Sequence, residues 1–126
     1  MYEVNKKWTT AKRCEYGGYT YDSKFEASYA QELDLRKKAG DILDYERQKT
    51  LELVVNSYLV CTYRIDFVVY HDGCTEYVEL KGWPTPVWRL KWKLFEALFD
   101  RPGNKLTIIQ QGRFRIPKAR KTKERV

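Results

Sequence analysis

The sequence predicts one α/β domain in which two helices pack against a mixed β-sheet. Three observations lead to this fold class. Two segments combine helical spacing of apolar residues with capping signals, and several runs of β-branched and aromatic residues lie between turn signals. Towards the end of the chain, a strand, a helix and another strand follow one another, which predicts a parallel crossover. The expected element order is helix, three antiparallel strands, helix, strand.

The first predicted helix begins at Ser23, after a segment at 15–22 (EYGGYTYD) that predicts a short hairpin. Ser23 and Glu26 fit a capping box, and Gly40 is suited to the C-terminal end of the helix. Apolar residues recur near helical spacing at Phe25, Tyr29, Ala30, Leu33, Leu35 and Ala39.

Three strands are predicted, at 49–55, 59–70 and 75–81. The first has apolar residues in alternation, and the other two are rich in β-branched and aromatic residues. Asp66 lies in the middle of the second strand, although aspartate is depleted in strands and buried charges are rare unless they are paired or bound to a metal.

The turn between the second and third strands contains Asp72-Gly73, a strong hairpin signal. A two-residue or a four-residue loop gives the same register, in which Asp66 lies directly opposite Glu79. The Cβ atoms of such a pair are about 5 Å apart. A three-residue loop would break this pairing.

The second predicted helix has Thr85 as its N-cap and Pro86 at its first position, and it runs to about residue 99. Its apolar stripe is expected in the core or in a dimer interface rather than stacked on bases. The stripe consists of Trp88, Trp92, Phe95 and Phe99. A last strand at 106–110 is expected to run parallel to the strand at 75–81.

The chain of 126 residues carries 24 Lys and Arg against 17 Asp and Glu, a net charge of +7. Such an excess favours polyanionic partners, because neutralised phosphates release counterions on binding, although a merely soluble basic protein has the same composition. Basic residues concentrate at 113–126, which we expect to be a basic tail after a domain at 1–112.

Several other classes of protein are disfavoured. No apolar run is long enough to span a membrane, and the first residues lack the apolar stretch of a secretory signal. The three cysteines form no C-x-x-C pair and His71 is the only histidine, which disfavours a structural zinc site and hydrolysis through a histidine base. An odd cysteine count fits reduced thiols, so we expect a cytoplasmic protein without membrane partners.

Two carboxylates and a lysine meet at the end of the predicted hairpin. Lys81 emerges on the same face as Glu79, because side chains along a strand have a period of two. Opposed carboxylates such as Asp66 and Glu79 repel each other unless a cation lies between them, and Mg²⁺ is typically held by one or two carboxylates plus waters and phosphate. The alternative is a ladder of surface salt bridges in which Lys81 and Arg64 neutralise the acids.

Asp66 followed by Glu79, Leu80 and Lys81 resembles the D…(D/E)-x-K core of the PD-(D/E)XK (restriction-endonuclease-like) nuclease superfamily. The superfamily fold has the order αβββαβ, with a mixed sheet flanked by helices, which is the order predicted here. The resemblance extends to 23–27 (SKFEA), where many members carry a further glutamate. The proline that precedes the aspartate in the superfamily is absent here, a departure that many members share.

The chain also resembles a narrower group, phage-encoded endonucleases related to Holliday-junction resolvases. In that group an S-K-x-E-A helix precedes a strand meander, and a V-x-x-K-G ending leads into a basic R-L-K-x-K-L helix. The corresponding segments are 78–82 (VELKG) and 89–94 (RLKWKL), and the resemblance covers roughly residues 20–111.

The resemblance implies a metal-dependent DNA endonuclease that uses Mg²⁺ or Mn²⁺. Asp66 and Glu79 would be the principal metal ligands, and the backbone carbonyl of Leu80 would complete the metal shell. Lys81 would position or activate the attacking water and stabilise the charge that develops on the phosphate.

Further candidates surround these residues. Glu26 would be an additional acid that binds metal directly or through water, unless it serves only in the capping box. Gln48, just before the first predicted strand, could also point into the site. The candidate DNA contacts are Lys24, Trp83, Arg89, Lys91, Lys93, Arg113, Arg115 and Lys118. Lys91 is the favoured contact to a phosphate.

Branched DNA such as a Holliday junction is the expected substrate, read by shape and backbone, because no separate base-reading domain is recognisable. Symmetric cutting of two strands favours a homodimer. The alternatives are a non-catalytic nucleic-acid-binding module and a nuclease of the same fold that acts on RNA or linear duplex DNA. A phage-encoded protein would work in the cytoplasm of the bacterial host.

Overall fold

A four-stranded mixed β-sheet with a helix on each face is the centre of the computed structural model, which describes residues 14–21 and 23–110. The elements are β1 (Cys14–Tyr16), β2 (Tyr19–Tyr21), α1 (Lys24–Ala39), β3 (Asp44–Val55), β4 (Tyr58–His71), β5 (Cys74–Lys81), α2 (Pro86–Phe99) and β6 (Asn104–Gln110). The predicted mixed α/β class and the order of its elements are confirmed.

Both helices begin at their predicted N-caps, and α1 ends at the predicted Gly40. The Oγ atom of Ser23 accepts a hydrogen bond from the Glu26 backbone N–H at 3.2 Å, and Gly40 closes α1 in a left-handed conformation with φ 83°. At the start of α2, Thr85 Oγ1 accepts from the Trp88 backbone N–H at 3.1 Å. Within the described ranges, neither helix is long and apolar enough to cross a membrane.

The sheet has the order β3-β4-β5-β6. Its first three strands are antiparallel, and β6 runs parallel to β5, as the crossover through α2 predicts. Pairing between β4 and β5 runs from His71–Cys74 to Phe67–Val78 across a two-residue turn, one of the two predicted loop lengths, in which Gly73 has φ 78°. The predicted register is therefore confirmed over these pairs.

The short hairpin predicted before α1 is formed by β1 and β2. A shared acceptor, Asp34 of α1, ties it to the sheet. The Tyr16 hydroxyl donates to Asp34 Oδ2, and the Tyr45 hydroxyl of β3 donates to Asp34 Oδ1 at 2.6 Å. The hairpin, α1 and the first strand of the sheet are thus joined through one carboxylate.

Two hydrophobic clusters hold the helices on opposite faces of the sheet. On one face, α1 packs against side chains that include Phe67 and Val78. On the other face, the buried aromatic residues of α2 are Trp88, Trp92 and Phe95. The aromatic stripe predicted for a core or a dimer interface is therefore core within one chain.

The alternation of side chains along β4 is interrupted at Asp66. Ile65 packs in the cluster with α2 and Phe67 in the cluster with α1, although residues two apart in a regular strand face the same side. At the same level of β3, Gln48 has a left-handed φ of 50°, which is uncommon for a residue with a Cβ atom. The pairing on either side of Gln48 keeps one register, so the pleat is disturbed without an inserted residue.

Strand β3 is longer than the sequence predicts. It begins at Asp44 rather than at 49, so Gln48 lies inside the strand and not just before it. The polar first residues of β3 pair with the last residues of β4, from Asp44–Tyr70 onwards. Because this pairing joins distant parts of the chain, local β-propensity does not reveal it.

The structure also shows the surroundings of two side chains that the sequence pattern leaves open. Leu35 lies at helical spacing but is 67% exposed, because it projects away from the side of α1 on which Leu33 is buried. His71, the only histidine of the sequence, is the last residue of β4, and its Nε2 lies 2.8 Å from Glu76 Oε1. This histidine therefore has a buried acidic partner.

Candidate active site

Asp66 and Glu79 come together where the regular pairing of β4 and β5 ends. The last regular pair is Phe67–Val78, and one residue further the Asp66 Oδ2 atom accepts a hydrogen bond from the Leu80 backbone N–H at 2.8 Å. The Asp66 side chain thus joins the two strands itself. Glu79 lies next to it and is buried, with 4% of its surface exposed.

Burial raises the pKa of both acids. For Asp66, loss of solvent is the largest cause, and the neighbouring Glu79 charge adds to it, so the pKa rises to about 8 despite the Leu80 N–H and Lys81. Burial also raises the pKa of Glu79, although Lys81 and nearby hydrogen-bond donors lower it. Burial and the proximity of the two carboxyl groups therefore act against ionisation of Asp66, and burial does the same for Glu79.

Two aromatic side chains with polar atoms lie against Glu79. Trp88 Nε1 donates to Glu79 Oε2 at 3.1 Å and to the Tyr63 hydroxyl oxygen, also at 3.1 Å. Burial, followed by the Glu79 charge, raises the pKa of Tyr63, so its hydroxyl stays protonated. The other oxygen, Glu79 Oε1, is buried and has no hydrogen-bond partner among the described residues. A buried acceptor without a donor is unfavourable, so this oxygen is suited to a cation.

Lys81 lies on the same face as Glu79, as the period of the strand predicts. Its Nζ atom is 4.7 Å from the centroid of the Trp88 ring, within the range of a cation–π contact. Its charge lowers the pKa of both acids. In the part of the chain that the structure describes, however, no salt bridge joins Lys81 to Asp66 or Glu79. A salt-bridge ladder through Lys81 therefore does not neutralise the pair.

Glu26 and Gln48 take different positions relative to the acid pair. Glu26 lies in the first turn of α1, half-buried, where its backbone N–H is bonded to Ser23. Gln48 is half-buried on β3 at the level of Asp66. Within residues 14–21 and 23–110, no group of three or more Asp, Glu, His or Cys side chains is arranged to hold a metal. Asp66 and Glu79 therefore lie together, and the role of Glu26 stays a prediction.

The candidate DNA contacts differ in exposure. Lys24 and Lys93 are exposed, whereas the Nε and Nη2 atoms of Arg89 are buried. Lys91 donates from Nζ to a backbone carbonyl of β4 at 3.0 Å, and Trp83 is half-buried in the loop before α2. The candidates in the predicted tail, Arg113, Arg115 and Lys118, lie outside the described residues.

Sequence reasoning missed two members of the site, Tyr63 and Trp88. The sequence pattern places Trp88 in the apolar stripe of α2, and Tyr63 reads as an ordinary strand residue. Both are buried, with 4% and 7% of their surfaces exposed, and a buried phenol or indole usually has a hydrogen-bond partner. This need for a partner was the signal available in the sequence. The acids of β5 precede Trp88 by only a few residues, so they were candidate partners for its indole N–H.

Comparison with known proteins adds a family. Neither the curated proteins nor the solved structures give a match to this chain. A family model described as "Protein of unknown function (DUF1064)" matches residues 5–114, a range that contains every element described above. The chain therefore belongs to the DUF1064 family.

Proposed function

We propose that this protein is a metal-dependent DNA endonuclease that hydrolyses phosphodiester bonds. The observation that carries the proposal is the buried Asp66–Glu79 pair with Lys81 on the same face. Two adjacent acids with raised pKa values disfavour the folded state unless something binds between them, and such arrangements cluster at functional sites. The motif and element order shared with PD-(D/E)XK nucleases support the same assignment.

The donor set fits a hard divalent cation such as Mg²⁺ or Mn²⁺. Asp66 and Glu79 offer carboxylate oxygens, and Glu79 Oε1 has no donor among the described residues. The backbone carbonyl of Leu80 is the third proposed ligand, and Glu26 is proposed as a further acid that binds the metal directly or through water. A metal bound by these groups supplies Lewis acidity and lowers the pKa of a bound water.

Lys81 supplies a positive charge beside the acids. Because its ammonium group rests on the Trp88 ring and makes no salt bridge to the acids in the described residues, its hydrogen-bond donors remain for a water or a phosphate oxygen. There it orients the attacking water and stabilises the negative charge that develops on the phosphate. Because Glu79 is buried, the surroundings of the site have a low dielectric constant, which strengthens the electrostatic interactions of Lys81.

The second candidate function is nucleic-acid binding without catalysis, in which the acids serve the structure alone. The net charge of +7 favours this function as much as it favours a nuclease. The acid pair argues against it, because a structural ion-pair network would lower the pKa values of Asp66 and Glu79, whereas both are raised. A binding module would hold DNA equally well without metal and would leave every strand intact.

Branched DNA is the proposed substrate, and a homodimer with two active sites is the proposed working unit. Both follow from the resemblance to Holliday-junction resolvases and from the symmetry of junction cleavage. The proposed compartment is the cytoplasm, that of a bacterial host if the gene belongs to a phage.

A cleavage panel tests these assignments together. Junction, flap, linear duplex, single-stranded DNA and RNA are each incubated with Mg²⁺, Mn²⁺ or chelator. The proposal expects metal-dependent cleavage with the junction cut fastest. Equal cutting of linear duplex or of RNA would move the substrate to that class. Intact strands in every metal, together with metal-independent DNA binding, would replace the nuclease by a binding module.

A further inference from the structure

Trp88 contacts both of the side chains to which the proposed function assigns different tasks. Its indole Nε1–H donates to Glu79 Oε2 at 3.1 Å. The face of the same ring receives the Lys81 ammonium group, 4.7 Å from the centroid. One buried residue of α2 thus contacts the proposed metal ligand and the proposed water-orienting lysine, which come from β5.

Tyr63 completes this arrangement from β4. Its hydroxyl oxygen accepts from Trp88 Nε1 at 3.1 Å, and the hydroxyl lies close enough to Glu79 to hydrogen-bond with it. Because the phenolic hydrogen is not used towards Trp88, it can be donated to the carboxylate. Glu79 therefore accepts a hydrogen bond from Trp88 of α2 and lies near the hydroxyl group of Tyr63 of β4.

These contacts determine which oxygen of Glu79 remains without a hydrogen-bond donor among the described residues. Trp88 engages Oε2, whereas Oε1 is buried without a donor among the described residues. A glutamate side chain has rotatable bonds that would otherwise let its two oxygens exchange places. Holding one oxygen by an N–H group restricts the other oxygen to one position.

We propose that Trp88, assisted by the Tyr63 hydroxyl, is a positioning residue that orients Glu79 for a divalent cation and holds Lys81 beside it. The assignment depends on the proposed function, but it concerns residues to which neither the motif nor the family gives a role. Groups that orient metal ligands contribute about 10-fold to 100-fold in metal affinity or activity.

The variants Trp88→Phe and Tyr63→Phe separate orientation from packing. Each keeps a ring in the core and removes one polar group from the vicinity of Glu79. Mn²⁺ affinity is measured by calorimetry on the full chain without DNA, so the result does not depend on cleavage. We expect about a tenfold loss of Mn²⁺ affinity in Trp88→Phe and a smaller loss in Tyr63→Phe.

Trp92→Phe is the matched control. Trp92 lies one turn further along α2, is 3% exposed and stacks on Trp88 with ring centroids 5.9 Å apart, but its indole makes no hydrogen bond to the acids in the described structure. We expect its Mn²⁺ affinity to equal that of the wild type. Thermal unfolding of all variants checks that a loss of affinity does not follow a loss of fold.

The second contact is tested by Trp88→Leu, which also removes the ring under Lys81. Relative to Trp88→Phe, we expect a further fall of several-fold in turnover at saturating Mn²⁺, with Trp92→Leu as the control for lost packing. Equal Mn²⁺ affinities in Trp88→Phe and Trp92→Phe would overturn the positioning role while leaving the nuclease assignment intact. A wild-type protein that binds no Mn²⁺ would overturn both.

Discussion

Two buried glutamates of β5, Glu76 and Glu79, lie three residues apart and have opposite electrostatic character. Their exposed fractions are similar, 6% and 4%. Glu76 accepts from the Thr107 hydroxyl at 2.6 Å, lies 2.8 Å from His71 Nε2 and is 4.0 Å from Lys105 Nζ. Although burial acts to raise its pKa, these partners together lower it.

Glu79 has the same burial but a second acid for a neighbour, and its pKa is raised. The difference shows that burial alone does not decide the state of a carboxylate, because the partners determine whether its charge is compensated. Glu76 is built into the fold with its own donors. Glu79 and Asp66 are left with an acceptor that nothing in the described chain satisfies, which is the arrangement expected of a binding site.

The largest expected effect is a difference in cleavage rate between variants of Glu79 and variants of Glu76. We expect Glu79→Gln and Asp66→Asn to reduce metal-dependent cleavage by at least about a hundredfold, because even residues that only orient metal ligands contribute up to that amount. Glu76→Gln should cleave at nearly the wild-type rate after correction for its folded fraction. Initial rates on a labelled junction in Mg²⁺ measure this, and near-wild-type cleavage by either site variant would remove the acid pair from the mechanism.

The lysines near the two glutamates extend the comparison. Lys81→Ala should lose most of the turnover, because no other group is assigned to orient the water, while Mn²⁺ affinity without DNA changes by less than about threefold. Lys105→Ala, which alters a long contact to Glu76, should leave turnover unchanged. A collapse of Mn²⁺ affinity in Lys81→Ala would show that the lysine organises the metal ligands instead.

Stability should change in opposite directions at the two positions. Glu76→Gln weakens hydrogen bonds to a charged acceptor and should lower the free energy of unfolding by about 1–3 kcal/mol. Glu79→Gln removes a charge next to Asp66 and should raise it by about 1 kcal/mol in the metal-free protein. Urea denaturation in chelator at pH 7.5 measures the free energy of unfolding of both variants. This pH lies below the raised pKa of Asp66, which is about 8. A loss of stability in both variants would mean that Glu79 is structurally satisfied.

The pH dependence of stability should also have opposite signs at the two sites. Asp66 has a folded pKa of about 8 against an ordinary value of 3.8, so between these values the unfolded chain has released a proton that the native state keeps. Stability in chelator therefore falls as pH rises through this window, by up to about 1.4 kcal/mol per pH unit. The free energy of unfolding, measured at several pH values, should depend less on pH in Asp66→Asn than in the wild type.

Glu76 should make stability change with pH in the opposite direction. Its pKa is lowered from the ordinary value of 4.5, so its stabilising contribution is complete above that value and is lost as pH falls through the folded pKa. The difference in stability between wild type and Glu76→Gln should therefore shrink in acid, where the difference for Asp66→Asn also becomes small. A Glu76→Gln difference that stays constant down to pH 3 would contradict the lowered pKa.

Local signals were sufficient for much of this fold. Capping residues predict both helices, and the Asp72-Gly73 turn predicts the register that places Asp66 beside Glu79. The aromatic stripe of α2, which the sequence predicts for a core or a dimer interface, lies in the core. Each of these features depends on residues a few positions apart, so the sequence displays them directly.

The sequence by itself determined the elements, the register of the central hairpin and the face shared by Glu79 and Lys81, because turn and strand geometry act over short distances. Only the tertiary structure decided the left-handed Gln48 in β3, the raised pKa values of the acid pair and the contact of Trp88 with both proposed site residues. These depend on which distant segments exclude water and supply donors. Such long-range packing is not encoded in any local pattern.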